Sequence, residues 1–273
     1  MQFSINKNAI WLLVIACFAV NCSKGQENDL GPVADNYVRY YIKPVDLFVG
    51  FVSDEKLPNT APVGYSDFSL NIMCFPMGAG EYNGQTFSSQ DVEKYRTDHF
   101  IHRTPKSNEW VEYDDPYNPE FNRIYDSLCT AHNDTKYSAA RERYVGEQFA
   151  FPTLFRRMTL SVASDTDYDA THPAGTPLDD VLNVYFYSVK EIVESGYDFD
   201  KYPSKGFIDG HAIQEPLTQF NNEYRKLMGA MFKLSFTKAP AATSVHRFTV
   251  TYTDEDGRVL TSQMAPVTIQ AGK

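Results

Sequence analysis

Three carboxylates in one short segment have the spacing in this sequence that best suits a metal ion. Asp165, Asp167 and Asp169 alternate as the first three ligands of a calcium loop do, and calcium prefers several oxygen ligands. The pattern then breaks, because Ala170 replaces the expected glycine and Thr176 the expected glutamate. The segment predicts either a calcium site of another kind or a solvated acidic loop held by side-chain to backbone hydrogen bonds. Calcium is the only cofactor that the sequence suggests.

Two other pairs of side chains have the right types for chemistry but lack supporting residues. His99 and His102 could chelate zinc from a helix, yet the glutamate and spacing of a zinc-protease motif are absent, and no third ligand follows. Cys129 and His132 are a thiol and a base, although a nucleophile and its base normally come from distant segments. The chain also lacks a G-x-S-x-G elbow, a phosphate-binding loop and a dinucleotide loop. We therefore nominate no catalytic residue.

One segment combines aromatic rings with carboxylates and amides, which suits sugar binding. Sugars stack their C–H faces on rings while their hydroxyls form hydrogen bonds, and tyrosine and tryptophan lose little conformational entropy on binding. Trp110, Tyr113 and Tyr117 are therefore predicted to bind a ligand. The alternative is that these rings anchor a proline-rich loop to the core. The run from Tyr82 to Gln85 is a second candidate of the same kind.

The amino-terminal residues predict export and lipid attachment. Lys7 precedes an apolar run from Ala9 to Val20, which is too short for a stable membrane anchor of roughly 20 residues. The run ends at Cys22, and polar residues follow, an arrangement that resembles the lipobox of bacterial lipoproteins. We therefore predict a lipoprotein signal peptide at 1–21, a lipidated Cys22 with a flexible tether over 22–36, and a place at the outer membrane or cell surface.

Two alternatives to this interpretation remain open. The first is lipidation at Cys17. Ala16 before it matches the small residue that usually precedes a lipidated cysteine better than Asn21 does, but cleavage there would leave the apolar residues 18–20 at the start of the tether. An ordinary secretory signal without a lipid is the other alternative.

Composition fits an exported globular protein of acidic character. With 42% hydrophobic and 14% aromatic residues, the chain can bury a sizeable core. Its formal charge of -10 argues against non-specific binding to nucleic acid, so we expect no nucleic-acid partner. Contact with the membrane would come through acyl chains, which need no basic patch. After lipidation Cys74 and Cys129 remain, either as a disulfide or as two buried free thiols.

Alternating hydrophobicity predicts a β-rich globular domain over 37–273. Strands are predicted at 37–42, 47–52, 66–75, 154–163, 181–189, 231–236, 247–253 and 258–263. Helix starts near Ser89 and Pro119, with a third amphipathic piece from about Tyr137, predict a helical insertion at about 88–146. A further helix is predicted over 216–228. The Asp-Gly turn at Asp256 and Gly257 predicts a terminal hairpin. Residues 267–269 can extend the second strand of this hairpin.

Three segments carry a resemblance to known proteins: Cys22, the run from Ser164 to Gly175 and the run from Tyr252 to Val259. Together they resemble uncharacterised lipoproteins of Bacteroidetes-type gut bacteria, which are grouped as domains of unknown function. The hairpin also resembles the last strands of immunoglobulin-like modules. These resemblances imply a mainly β fold, an immunoglobulin-like antiparallel β-sandwich with α-helical insertions, and carry over no catalytic residue. The function expected is a non-catalytic module that binds a glycan or a surface protein. A structural or adhesive surface protein and a hydrolase with an unrecognised site are the alternatives.

Overall fold

A computed structural model of the chain describes residues 36–38, 40–42, 44–52, 62–76, 79–82, 85–102, 119–137, 152–153, 157–198, 200–201 and 211–272. Over these residues the secondary structure is mainly β, arranged in several antiparallel sheets. The strands are β1 (Tyr40–Ile42), β2 (Phe48–Val52), β3 (Ser69–Met73), β4 (Gly80–Tyr82), β5 (Gln85–Phe87), β6 (Phe100–His102), β7 (Pro152–Thr153), β8 (Thr159–Ser164), β9 (Leu182–Ser188), β10 (His211–Pro216), β11 (Met228–Phe236), β12 (Ser244–His246), β13 (Phe248–Thr253), β14 (Val259–Gln263) and β15 (Val267–Ile269).

The helices are short and lie between the strands. They are α1 (Ser89–His99), α2 (Pro119–Ala131), α3 (Lys190–Glu194) and α4 (Leu217–Asn222), with a 3-10 turn at Asp179–Val181. Within the described ranges, no helix has both the length and the apolar character needed to cross a bilayer.

The largest sheet is organised around β11, its longest strand. β11 pairs with β9 along one edge, and β10 lies outside β9. Along its other edge β11 pairs first with β7, which leads to β1 and β6, and then with β3, which leads to β2. These pairs are antiparallel apart from β1 with β7. The path β10-β9-β11-β3-β2 therefore forms a five-strand antiparallel surface.

A second sheet of three strands, in the order β14-β13-β8, shares a hydrophobic core with the large sheet. Burial alternates along β8, β9, β11 and β13, so every second side chain points into this core. Phe236 of β11 and Phe248 of β13 have ring centroids 5.2 Å apart. Removing such apolar surface from water is the main stabilising contribution to the fold, at about 25 cal/mol per Å².

The predicted start of the first helix is confirmed by a capping box. The Ser88 side chain accepts a hydrogen bond from the Asp91 backbone N–H, and the Asp91 carboxylate accepts one from the Ser88 N–H. Two backbone donors that a helix start leaves without partners are thereby satisfied. α2 begins at the predicted Pro119. The region predicted as a helical insertion also contains β6, which pairs with β1 at the edge of the large sheet.

Several predicted strands are confirmed, and the clearest is β3 with its flanking residues. Phe68, Leu70, Ile72 and Cys74 are all at most 1% exposed, as the alternation predicted. Cys74 and Cys129 are both buried free thiols, which was one of the two alternatives.

Three predicted elements differ from the structure. The helix predicted over 216–228 ends at Asn222, where the chain becomes extended at Glu223. Tyr224 is consequently 75% exposed instead of lying on a buried stripe. Residues 267–269 pair with β12 and do not extend the hairpin. Of the strand predicted over 154–163, residues 159–163 belong to β8, whereas Arg157 and Met158 precede that strand and residues 154–156 lie outside the described part of the chain.

Candidate functional site

Most of the predicted site residues lie outside the described part of the chain. Cys22, Trp110, Tyr113 and Tyr117 are in this group, so lipidation and ligand binding at these positions stay predictions. Tyr82 and Gln85 pair directly between β4 and β5, and the two residues of the second predicted binding run that lie between them are outside the described part of the chain.

The acidic loop after β8 uses its carboxylates as hydrogen-bond acceptors. Asp165 accepts from the backbone N–H of Arg247 at 2.8 Å, and Asp167 accepts from that of Ala174 at 2.7 Å. Asp169 accepts from the backbone N–H of Thr171 at 2.8 Å. These contacts are those of a loop held by side-chain to backbone hydrogen bonds.

Asp169 also belongs to a charged cluster around His172. The two ring nitrogens of His172 lie 2.8 Å from carboxylate oxygens of Asp169 and Asp180. Lys238 contacts the other oxygen of Asp169 at 2.7 Å. Burial lowers the pKa of His172, but hydrogen bonds to Asp180 and Asp169 outweigh it and raise the pKa above 6.5. Across the described residues, no three or more His, Cys, Asp and Glu side chains are grouped to hold a metal ion. Calcium at this loop stays a prediction.

The thiols of Cys74 and Cys129 and the imidazole of His246 are buried. Burial, with Asp134 nearby, raises the pKa of the Cys129 thiol to about 12, which removes the thiolate that a nucleophile needs. The Ser164 hydroxyl oxygen lies 2.9 Å from Nδ1 of His246. At a solvent-exposed site, such a pair could activate the hydroxyl as a nucleophile. Both residues are at most 3% exposed, and burial lowers the pKa of His246, so this pair is closed to a substrate.

A second buried cluster fixes the start of the globular domain. Asp134 is fully buried and accepts hydrogen bonds from the backbone N–H groups of Tyr37 and Val38, both at 2.8 Å. The Tyr197 hydroxyl donates to the same carboxylate at 2.8 Å, and Tyr125 donates to the Val38 carbonyl. Rings and aliphatic side chains from β1, α2 and α3 enclose this network. The chain is therefore held firmly from the point where the predicted tether ends.

The large sheet has a second face that this core leaves accessible. We define the outer face as the described side chains of β3, β9, β10 and β11 that point away from the shared core and are exposed or half-buried. They are Asn71, Met73, Asn183, Tyr185, Tyr187, Ala212, Gln214, Pro216, Met231, Lys233 and Ser235. Aromatic, amide and methionine side chains dominate this set, which is the composition of a binding surface more than that of a solvated sheet.

A continuous cross-strand row runs through the middle of the outer face. Gln214 pairs with Tyr185, Tyr185 with Lys233, and Lys233 with Asn71. The row ends at Gly50 of β2, which pairs with Asn71 and has open space where a side chain would stand. Directly paired residues point to the same side of a sheet, and neighbouring strands lie about 4.8 Å apart, so the row spans about 19 Å.

Two tyrosines give the outer face a rigid aromatic centre. The ring centroids of Tyr185 and Tyr187 are 5.3 Å apart at an interplanar angle of 83°, and the Tyr185 hydroxyl donates to that of Tyr187 at 2.8 Å. Such an edge-to-face pair is favourable beyond the area that it buries. The ring contact and the hydrogen bond thus hold the two rings in fixed relative positions.

Packed elements border one end of the outer face. Phe48, which shares the face at the start of β2, is buried beneath Phe87 and Tyr95, with ring centroids 5.7 and 6.4 Å away. Beyond Tyr187, Val189 and Ile192 are buried in the second cluster. Both packed regions therefore lie at the end of the outer face that carries Met73, Met231 and Tyr187.

Sequence reasoning did not find this surface. Within the strand predicted over 181–189, Asn183, Tyr185 and Tyr187 have the same parity and therefore lie on one side of β9. The missing information was strand register, because Lys233 and Asn71 reach Tyr185 only through pairing between segments far apart in the chain.

Compared with models of protein families, with curated proteins and with solved structures, the chain gives no significant match in any of the three.

Proposed function

We propose that the chain is an exported, lipid-anchored protein of the cell envelope that binds a glycan or protein ligand without catalysis. The observation that carries the proposal is the row from Gln214 through Tyr185 and Lys233 to Asn71. It offers a preformed aromatic centre between polar groups on a rigid sheet.

The chemistry of the row suits an extended polar ligand. Phenol and amide groups both donate and accept hydrogen bonds, so they can match hydroxyls or peptide groups in either sense. Rings already fixed by packing lose little entropy when a ligand stacks on them. Side chains built on strands also hold their geometry more precisely than side chains on loops.

Attachment to a membrane would leave this surface accessible. The fourteen residues from Cys22 to Asp35 can extend to at most about 50 Å. The domain itself is held from Asn36 onward, where the Asn36 amide donates to the Asp134 carbonyl. A lipid on Cys22 would therefore keep the domain near the envelope while allowing it to turn toward a ligand.

We also propose that the two core-sharing sheets form an immunoglobulin-like β-sandwich with helical additions. The shared cluster of buried residues and the contact between Phe236 and Phe248 support this arrangement. The Asp-Gly hairpin of β13 and β14 supports the likeness to the last strands of immunoglobulin-like modules. The lipoprotein family suggested by the sequence segments belongs to the same proposal.

Binding can be tested with the full chain purified in a mild detergent and applied to arrays of plant, host and microbial glycans and of envelope proteins. We expect saturable binding that Tyr187→Ala weakens at least about tenfold, a loss of about 1.4 kcal/mol. Tyr187→Phe removes only the hydroxyl and should retain most of the ring contribution.

Tyr224→Ala is the matched control, because this tyrosine is 75% exposed, contacts Arg157 and is not one of the residues that form the outer face. It should leave binding unchanged. Trp110→Ala tests whether the predicted loop contributes as well. Failure of the wild-type chain to bind any arrayed ligand, or equal loss in the Tyr187 and Tyr224 variants, would contradict the proposal.

A further inference from the structure

We propose that β14 pairs with β14 of a second copy of this chain, antiparallel and about a two-fold axis at Thr261. The two three-stranded sheets then become one continuous sheet. This contact goes beyond the proposed ligand binding and uses no residue of the outer face.

One edge of the three-stranded sheet, along β8, is already closed by hydrogen bonds. Asn221 of α4 donates to the Leu160 carbonyl at 2.8 Å and accepts from the Leu160 N–H at 2.9 Å. Asp179 accepts from the Val162 N–H at 3.1 Å, and the Leu178 N–H donates to the Val162 carbonyl at 2.7 Å. Another strand cannot add along β8 without breaking these bonds.

The opposite edge of the same sheet, along β14, is open. The Met264 N–H donates to the Phe248 carbonyl at 3.0 Å, so alternate residues of β14 turn their backbone groups toward β13 and the residues between them turn theirs outward. The outward residues are Val259, Thr261 and Gln263, and no described residue pairs with their backbone N–H and C=O groups. β2 runs close to β14, but its ladder is with β3.

β14 also lacks the features that normally protect an edge strand, which are lysine, proline, inward-pointing charges and bulges. From Val259 to Gln263 there is no charged residue and no proline, and the register with β13 is regular. The edge strand β10 of the large sheet, in contrast, carries the ion-paired Glu215 and ends at Pro216. An uncharged, regular and accessible edge is a template for pairing with another strand.

A second copy fits this edge because β14 is complementary to itself. In an antiparallel pair centred on Thr261, this residue faces its counterpart and Val259 faces Gln263, so every outward group gains a partner. The acidic turn over residues 254–256 then lies at opposite ends of the joined strands, which keeps like charges apart. A strand of another protein would have to supply a matching row, whereas a second copy supplies it by symmetry.

Disulfide trapping tests the register of this pair. The two Thr261 Cα atoms would be about 5.5 Å apart, inside the range of roughly 4.4–6.8 Å that a disulfide needs. Thr261→Cys, in the full chain in mild detergent with a mild oxidant, should therefore give at least about tenfold more covalent dimer than the wild type, whose own cysteines set the background. Thr251→Cys is the matched control, because Thr251 pairs with Thr261 from β13 and its two copies would be about 14 Å apart.

Val259→Cys and Gln263→Cys check the register a second time. In either variant alone, the substituted positions of the two copies would be about 13 Å apart along the strands, so neither should crosslink by itself. A mixture of the two variants should crosslink, because these positions face each other in the proposed pair.

Sedimentation equilibrium of the full chain in density-matched detergent measures the contact without a crosslink. The wild type should show a reversible monomer–dimer equilibrium. Thr261→Lys places two ammonium groups opposite each other and should raise the dimer Kd at least about tenfold. Val245→Lys adds the same charge at a position of β12 that is 54% exposed, and it should leave the Kd unchanged.

The outcomes separate this inference from the proposed function. A chain that stays monomeric, dimers that persist in Thr261→Lys, or equal crosslinking of Thr261→Cys and Thr251→Cys would each overturn the dimer and leave ligand binding standing. A chain that dimerises through Thr261 but binds no arrayed ligand would keep the dimer and remove the binding function. If Thr261→Lys lowers the melting temperature, the mixture of Val259→Cys with Gln263→Cys still decides.

Discussion

Asp134 links the predicted tether to the fold through a single buried carboxylate. Its oxygens satisfy two backbone N–H groups, those of Tyr37 and Val38, and the Tyr197 hydroxyl. All four residues are at most 5% exposed, so bulk water does not reach these donors in the folded protein. A buried donor left without an acceptor is destabilising by about 1–3 kcal/mol.

We expect Asp134→Ala to lower the free energy of unfolding by about 3 kcal/mol, because three buried donors lose their acceptor together. Urea denaturation followed by circular dichroism measures this change. Glu93→Ala, which removes an exposed carboxylate on α1, should change stability by no more than about 0.5 kcal/mol. Equal effects of the two substitutions would show that Asp134 is not a structural anchor.

His172 should make stability depend on pH in a defined direction. Both ring nitrogens face carboxylates, and the net pKa of His172 is raised above 6.5 in the folded protein. Because the folded-state pKa is raised, the contribution of His172 to the free energy of unfolding is fully present below pH 6.5. It is lost as pH rises through the folded-state pKa.

The difference in unfolding free energy between the wild type and His172→Gln should therefore be larger at about pH 5.5 than at about pH 8.5, on either side of the usual histidine pKa. Taking this difference cancels other titrating groups, including His246. Nuclear magnetic resonance titration of the imidazole gives the pKa directly. A value below 6.5, or a difference that does not change with pH, would show that the two carboxylates do not stabilise the imidazolium.

Among the elements, the hairpin of β13 and β14 depends on one backbone conformation. Gly257 has a φ of +80°, and Asp254 accepts hydrogen bonds from the backbone N–H groups of Asp256 and Arg258 within the turn. Gly257→Ala should lower stability by about 1–2 kcal/mol, because an L residue is disfavoured at positive φ.

Gly50→Ala is the matched control for this substitution in thermal unfolding. A methyl group enters open space at both glycines, but Gly50 lies in a strand with ordinary backbone angles. The control should change stability by less than about 0.5 kcal/mol. If both substitutions destabilise equally, positive φ does not explain the requirement for glycine at the turn.

Elements specified by short-range patterns were predictable from the sequence. The hairpin followed from its turn residues, α1 from its cap, and the buried side of β3 from alternation. The helix predicted over 216–228 failed because apolar spacing continues past Asn222, while Leu227 adopts a φ of +53° at the entry to β11. The pairing of β15 with β12 was out of reach, since local alternation does not identify a strand's partner.

The candidate site was predictable only in part, for the same reason. Tyr185 and Tyr187 lie two residues apart, so their common side follows from strand periodicity. Lys233 and Asn71 join them only through the register of β11 with β9 and β3. The loop after β8 was predicted to be acidic, but the role of His172 in this loop was not predicted. The contact of His172 with Asp180 depends on how the loop folds.

For the whole molecule, the predicted lipid on Cys22 determines where binding can take place. We expect Cys22→Ser to move the protein from the membrane fraction to the soluble fraction of cells that process lipoproteins. Metabolic labelling with a palmitate analogue should mark the wild type and not the variant. Cys17→Ser is the control, and persistence of the label in Cys22→Ser with its loss in Cys17→Ser would assign the lipid to Cys17.

The most direct test of binding at the outer face uses methionines already present in the chain. Met73 and Met231 pair across β3 and β11 on the outer face, whereas Met158, Met228 and Met264 are buried in the core. In methyl-labelled protein titrated with the ligand found by array, we predict progressive shifts of the Met73 and Met231 signals and nearly constant core signals. Shifts confined to other methionines, with Met73 and Met231 unchanged at saturation, would contradict a binding site on the outer face.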